Sequence, residues 1–163
     1  MPYTYIIQPF ERRKKEMKKS AVCLMLLFVL AGCTEGPLAS PSPRPPLPAL
    51  TVGQQDVPVY QSNYCWKSEK KNSCVDFISP PSQVRTENPG VVPAQATMMI
   101  HFDKQPKSGT LQVNEWTSTN KTKPVTVQDS SFVLSKNKGL HIYSFSAEWE
   151  EGTANYVCKV YLE

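Results

Sequence analysis

Residues 141–163 constrain this chain more than any other stretch. His141, Tyr143, Phe145, Ala147 and Trp149 alternate with Ser144, Ser146 and Glu148. After them, Ala154, Tyr156, Cys158, Val160 and Leu162 alternate with Thr153, Asn155, Lys159 and Glu163. Successive side chains of an extended strand point to opposite faces, so a period of two over these lengths means strands with one buried face each. Glu150-Glu151-Gly152 between the two runs supplies a tight turn, which makes a terminal hairpin the expected arrangement. A lone hairpin cannot hide its apolar face, so the rest of the chain has to provide a second layer.

The same period places a strand at Ala96, Met98, Ile100 and Phe102, with Thr97, His101 and Asp103 towards water. A turn over 104–109 leads to a strand at 110–116, where Leu111 and Val113 have one parity and Trp116 the other. Such a break means either a bulge or a solvent-facing tryptophan. A turn is expected over 119–123, followed by short strands at 124–127 and 132–134, and Lys136-Asn137-Lys138-Gly139 leads into the hairpin. With a first strand near 57–66, the total is seven or more strands and no helix. Residues 51–163 are therefore expected to form an all-β sandwich of about seven strands, of immunoglobulin or fibronectin type. The segment 60–93 fits that plan less well. It carries Tyr64-Cys65-Trp66, a charged turn and Cys74-Val75-Asp76, then Pro80-Pro81 and Asn88-Pro89-Gly90. We read it as a cysteine-pinned hairpin followed by a long surface loop, the kind of segment in which binding commonly resides.

The N-terminal part has a different texture. Lys18-Lys19, an apolar run of 13 residues from Ser20 and the small residues before Cys33 follow the order of a secretory signal. The run is shorter than the ~20 residues a spanning helix needs. Leu30-Ala31-Gly32-Cys33 resembles the lipobox of bacterial lipoproteins. That resemblance implies cleavage of a signal peptide, 17–32, and a mature chain beginning at Cys33 with diacylglycerol on its sulfur. Translation is expected to start at Met17, with 1–16 a start-site extension. Two or three acyl chains on one cysteine would hold the protein firmly at the extracellular face of the cell membrane. Residues 33–50 then form a linker, in which six prolines in the twelve residues 37–48 favour an extended polyproline rod. At ~3.1 Å per residue such a rod stands off by roughly 40 Å.

Composition narrows the partners. The formal charge of +4 resides entirely in residues 1–32, leaving twelve Lys/Arg against twelve Asp/Glu afterwards. A neutral mature chain has no electrostatic footprint for nucleic acid or for acidic lipid. Membrane contact is expected through the lipid on Cys33, and the soluble part as a monomer.

After Cys33, three cysteines remain. In an oxidising compartment Cys65 and Cys74 are the favoured pair, and their loop would stabilise the fold by roughly 2–3 kcal/mol. Cys158 on the apolar face of the last strand then behaves as a small hydrophobe. The rival is a bond across the sandwich from Cys158 to Cys65 or Cys74, because Tyr156-Val157-Cys158 resembles the Tyr-x-Cys of antibody strand F.

Signals of chemistry are sparse. His101 and His141 stand on different expected strands and in no metal-ligand spacing, the acids are scattered, and neither a phosphate loop nor a nucleophile elbow occurs. No cofactor or metal is expected. An enzyme would need His101 or His141 within hydrogen-bond reach of a carboxylate in a pocket. Aromatics are the better clue, with Trp66, Tyr64 and Trp116 as candidate binding residues, because an exposed flat ring can stack on a sugar or seat a partner's side chain.

The overall pattern resembles small uncharacterised lipoproteins of Bacillus-like Gram-positive bacteria. The likeness rests on the lipobox, on Ser62-Asn63-Tyr64-Cys65-Trp66 with Cys74-Val75-Asp76, and on Tyr143-Ser144-Phe145-Ser146-Ala147-Glu148-Trp149 before Gly152-Thr153-Ala154-Asn155-Tyr156. It implies no defined activity. The expected function is a non-catalytic cell-surface module that binds a protein or a wall polymer, and the alternative is an extracellular protease-inhibitor-like protein presenting the Pro80-Pro81 and Asn88-Pro89-Gly90 turns. An enzyme is the third reading.

Overall fold

In the computed structural model, which describes residues 44–163, the chain runs through β1 (Ala49–Val52), β2 (Gln55–Val57), β3 (Val59–Lys67) and β4 (Asn72–Val75) into one helical turn, α1 (Pro80–Gln83). It continues through β5 (Gly90–Val92), β6 (Thr97–His101), β7 (Gln112–Ser118), β8 (Lys121–Val125) and β9 (Ser131–Val133). The chain ends with β10 (Gly139–Trp149) and β11 (Gly152–Leu162). The expected start-site extension, signal peptide, Cys33 and most of the linker lie outside the described residues.

Two sheets face each other, as the alternation requires. The smaller has the order β2–β1–β6–β9, and the larger β4–β3–β11–β10–β7–β8. β5 lies parallel to the end of β11, opposite residues 160–162. The terminal hairpin forms in the expected register, from Trp149 opposite Gly152 to Gly139 opposite Leu162. Its inward residues Tyr143, Phe145, Trp149, Tyr156, Cys158, Val160 and Leu162 are buried against Leu50, Met98, Ile100 and Phe132 of the smaller sheet. Trp149 sits edge-on to Trp66 at 5.4 Å and to Phe102 at 5.1 Å, the tilted geometry that aromatic quadrupoles prefer.

Several local expectations need correction. The first strand expected near 57–66 is β3, and two short strands, β1 and β2, precede it, so the sandwich reaches back into the linker. Leu50 is core, Pro45 and Pro48 are buried, and the Tyr156 hydroxyl donates to the Pro46 carbonyl at 2.6 Å. An extended proline run can lie along a sheet end where it would break a ladder. The turn over 119–123 shrinks to Thr119 and Asn120, because β8 starts at Lys121 and, as an edge strand, accommodates Pro124. These short additional strands raise the total from about seven to eleven among the described residues. Residues 80–83 form a helical turn instead of loop, started by two prolines whose fixed φ suits a first turn.

Lys159 alternates outward as expected, yet it is buried. The segment after β4 covers that face. The Lys159 ammonium donates to the carbonyls of Val84 at 3.1 Å, Arg85 at 3.0 Å and Glu87 at 2.8 Å, the turn that follows α1. All three ammonium hydrogens thereby find acceptors, which is what a buried lysine requires.

Candidate functional site

Strand parity decides which side chains can meet between the sheets. On β7 and β10 the residues sharing the inner face are Val113 and Glu115, and His141, Tyr143 and Phe145, with Glu115 directly opposite Tyr143. Val113, Tyr143 and Phe145 are core, whereas Glu115 and His141 fall where the core runs out. There the sheets part around a cleft of about 690 Å³. Its walls are Glu115 and residues 123–126 on one side and Ser131, Phe132 and Val133 on the other, with Tyr143 and residues 135–137 among its remaining lining. Both walls are sheet edges, since β8 ends the larger sheet and β9 the smaller.

His141 and Glu115 are joined across the ladder. The imidazole Nδ1 lies 2.7 Å from Glu115 Oε1 and Nε2 lies 2.8 Å from the Asn137 carbonyl, with both side chains mostly buried. Each ring nitrogen thus faces an acceptor, and only the doubly protonated imidazolium can donate to both at once. The pair ties β7 to the turn before β10. Tyr143 adds a second tie, its hydroxyl oxygen accepting the Ser135 N–H at 3.0 Å. Burial pushes the Tyr143 phenol up to about 12, against a partial offset from the Ser135 hydrogen bond, with the Glu115 charge adding to the rise. Cys158, its partner across the ladder, is free, fully buried and likewise pushed up to about 12 by burial.

The far end of the cleft is closed by a two-residue turn. Gln128 and Ser131 exchange both backbone hydrogen bonds, at 2.8 and 2.9 Å, across Asp129 (φ 49°) and Ser130 (φ 56°). Two consecutive left-handed residues are the signature of a type I′ turn, held here without glycine.

Four lysines mark this end of the molecule. Lys123 and Lys136 line the cleft, Lys121 and Lys138 stand two residues from them, and all four are exposed. The ion pairs among the described residues involve none of these four.

The residues singled out from sequence are distributed otherwise. Tyr64 and Trp66 are buried core residues, at 8 % and 7 % exposure. β3 carries a bulge before Trp66, because three steps of β3 (Gln61 to Tyr64) oppose two of β11 (Tyr156 to Ala154). The added residue turns Tyr64 and Trp66 inward along with Val59 and Gln61. Tyr64 is enclosed in the core, and Trp66, though mostly buried, borders a shallow pocket with Lys67, Glu69 and Glu150. Trp116 stands on the outer face of β7, half-buried, its indole N–H donating to Ser144 Oγ at 2.8 Å. It therefore faces away from the cleft. Cys65 and Cys74 are bonded directly across the β3–β4 ladder, as favoured. His101 is exposed beside Asp103 at 3.9 Å and lines none of the cleft. The Pro80-Pro81 turn belongs to α1, whose trailing carbonyls Lys159 holds. Cys33 lies outside the described residues.

The cleft residues Lys123, Lys136 and Asn137 gave no sequence signal beyond turn composition, because their convergence requires two sheet edges to meet. Among the described residues no three His, Cys, Asp or Glu side chains gather as a metal site would require. No protein-family model, curated protein or solved structure matches this chain.

Proposed function

We propose that this protein is a non-catalytic binding module, held at the outer face of the cell membrane by lipid on Cys33, which engages a protein or wall polymer through the cleft between β8 and β9. One observation carries the reading: a cleft of about 690 Å³ lies between two open sheet edges, with Lys123 and Lys136 in its lining, neither in an ion pair among the described residues. The His141–Glu115 contact beside the cleft is the arrangement that an enzyme would also need, and its further contacts favour a structural role for the pair. His141 spends both nitrogens on Glu115 and Asn137, and Tyr143 accepts from Ser135, so these groups serve to hold the cleft's shape. The inhibitor-like alternative has less support, since α1 and the turn after it lie against the larger sheet.

Two measurements test the reading. Membrane fractionation with labelled palmitate should show Cys33→Ser released and unlabelled, and a variant that stays membrane-bound would refute the lipid anchor. Titrating the isotope-labelled full chain with purified wall fragments and, separately, with solubilised surface proteins should perturb amides at Thr97, Lys123, Val133 and Asn137. Perturbations centred on residues 76–93, or none with either preparation, would overturn the assignment of the cleft.

A further inference from the structure

The backbone of β9 narrows the binding reading to one class of ligand, and that ligand rests on the cleft being a binding site. β9 pairs with β6 on one side only, with Thr97 opposite Val133 and Met98 opposite Phe132. Hydrogen bonds flank this ladder at Leu134 N–H to the Ala96 carbonyl, 2.9 Å, and at Ile100 N–H to the Ser130 carbonyl, 2.8 Å. Antiparallel bonding alternates, so Phe132 also bonds towards β6, while the N–H and C=O of Ser131 and Val133 point the other way, out of the sheet edge. Ser131 spends both groups on Gln128. Val133 remains, with a donor and an acceptor directed from the edge that lines the cleft and a side chain 59 % exposed.

The opposite wall is finished differently. β8 carries Lys121, Lys123 and Pro124, and lysine and proline are the residues that discourage a further strand from pairing. The two edges are thus unequal, one able to pair and one charged. Glu115 is the one acidic residue of the lining and is held against His141 at 2.7 Å, while Lys123 and Lys136 make no ion pair among the described residues.

We propose that the cleft takes an extended acidic polypeptide segment. The segment would exchange two backbone hydrogen bonds with Val133 as an added strand of the smaller sheet, and set its carboxylates against Lys123 and Lys136. Main-chain pairing provides affinity in such strand addition and flanking side chains provide selection. Here the selection is for negative charge. An anionic wall polymer would meet the same lysines but has no peptide groups for Val133.

The test is titration of the full isotope-labelled 163-residue chain with three probes: an eight-residue peptide alternating glutamate with valine or threonine, the same peptide with lysine for glutamate, and poly(glycerol phosphate). The acidic peptide should perturb Val133, Lys123 and Lys136, and the lysine peptide should not. Val133→Pro removes the outward N–H at an edge position, where a strand tolerates proline, so β6 pairing is expected to survive, and affinity for the acidic peptide should fall by roughly tenfold, the worth of one lost hydrogen bond. Lys123→Glu with Lys136→Glu should weaken it further and invert the preference between the peptides. The proposal is overturned if both peptides bind alike, or if Val133→Pro leaves acidic-peptide affinity unchanged while its spectrum retains the native β6–β9 contacts. Cleft perturbation by poly(glycerol phosphate) alone also overturns it while leaving the binding reading standing, and no cleft perturbation by any probe counts against both.

Discussion

On the β3–β4 side of the larger sheet the long connection is tied down at several points, although Gln83 Oε1 is left without a partner. A disulfide bridges Cys65 and Cys74, the Asn63 side chain accepts from Phe77 N–H at 2.8 Å, Gln83 donates to the Gln61 carbonyl at 2.6 Å, and the Lys159 ammonium holds three carbonyls. On the β8–β9 side the sheets end in open edges, a left-handed turn and four lysines without ion pairs among the described residues. The segment that composition marks as a long loop, within 60–93, is attached to the sheet at several points, and turns that composition marks only as turns border the cleft. Loop length therefore says little about availability here. What decides it is whether the polar groups of the loop are matched by the sheet beneath.

Alkali should break both sides together, the largest effect expected. Tyr143 and Cys158 are register partners in the core, and each favours its neutral form when folded. Their contribution is complete below the ordinary values of 9.0 for the thiol and 10.0 for the phenol, and is lost as pH rises through about 12. Thermal melting should show a constant Tm from pH 7 to 8.5 and a fall beyond it. Cys158→Val should delay its onset. A Tm unchanged at pH 11.5 would contradict this account.

Gly152→Ala should be the most damaging substitution on the closed side. The new Cβ would lie 1.9 Å from the Cys65 carbonyl oxygen at a φ of 151°, so β3 must retreat from the hairpin. We expect a loss greater than about 3 kcal/mol in urea denaturation. Lys159→Met comes next, at about 3 kcal/mol, because three carbonyls lose their donor. Its particular signature is faster amide exchange over 76–93 with the β8–β9 side unchanged; uniform loosening would mean that the two sides are not independent.

Reducing the Cys65–Cys74 bridge should cost about 2–3 kcal/mol by the loop-entropy argument. Both sulfurs belong to exposed residues, so mild reductant should suffice without unfolding, whereas Cys158 should resist alkylation until the domain melts. Rapid labelling of Cys158 in the native state would show the core to be looser than its packing. The smallest effect lies on the open side and has the opposite sign. Ser130→Gly relieves a left-handed residue worth ~1–2 kcal/mol but adds chain entropy worth ~0.5–1, for a net gain of about 0.5–1 kcal/mol. A loss of stability would mean that the Ser130 side chain contributes contacts beyond the turn.

Much of the fold is legible in particular residues. The alternations from His141 to Trp149 and from Thr153 to Glu163 specify the central hairpin and its inner face, and Met98, Ile100 and Phe102 specify a facing strand. Cys65 and Cys74 sit opposite each other because the hairpin register puts them there. Trp66 was misleading for a physical reason. A bulge at 62–63 changes which residues face inward, and a parity count cannot distinguish an exposed ring from a ring turned inward by one extra residue. Lys159 misled in the opposite sense, since an outward polar residue reads as exposed until another segment is laid over it.

Sequence by itself determined the layer architecture and the inward face of its central strands, because a period of two is a local property that each strand carries alone. It also marked Cys33 as the expected site of attachment. The cleft was decided only in the tertiary structure. Glu115 and His141 are 26 residues apart, and β8 and β9 belong to different sheets, so their meeting depends on the ladders that join β10 to β7 and β9 to β6. The open edges are likewise a property of the assembled sheets: whether the peptide groups of a strand are satisfied depends on which strands lie beside it, and Val133 is left with an outward donor and acceptor only because the smaller sheet ends at β9.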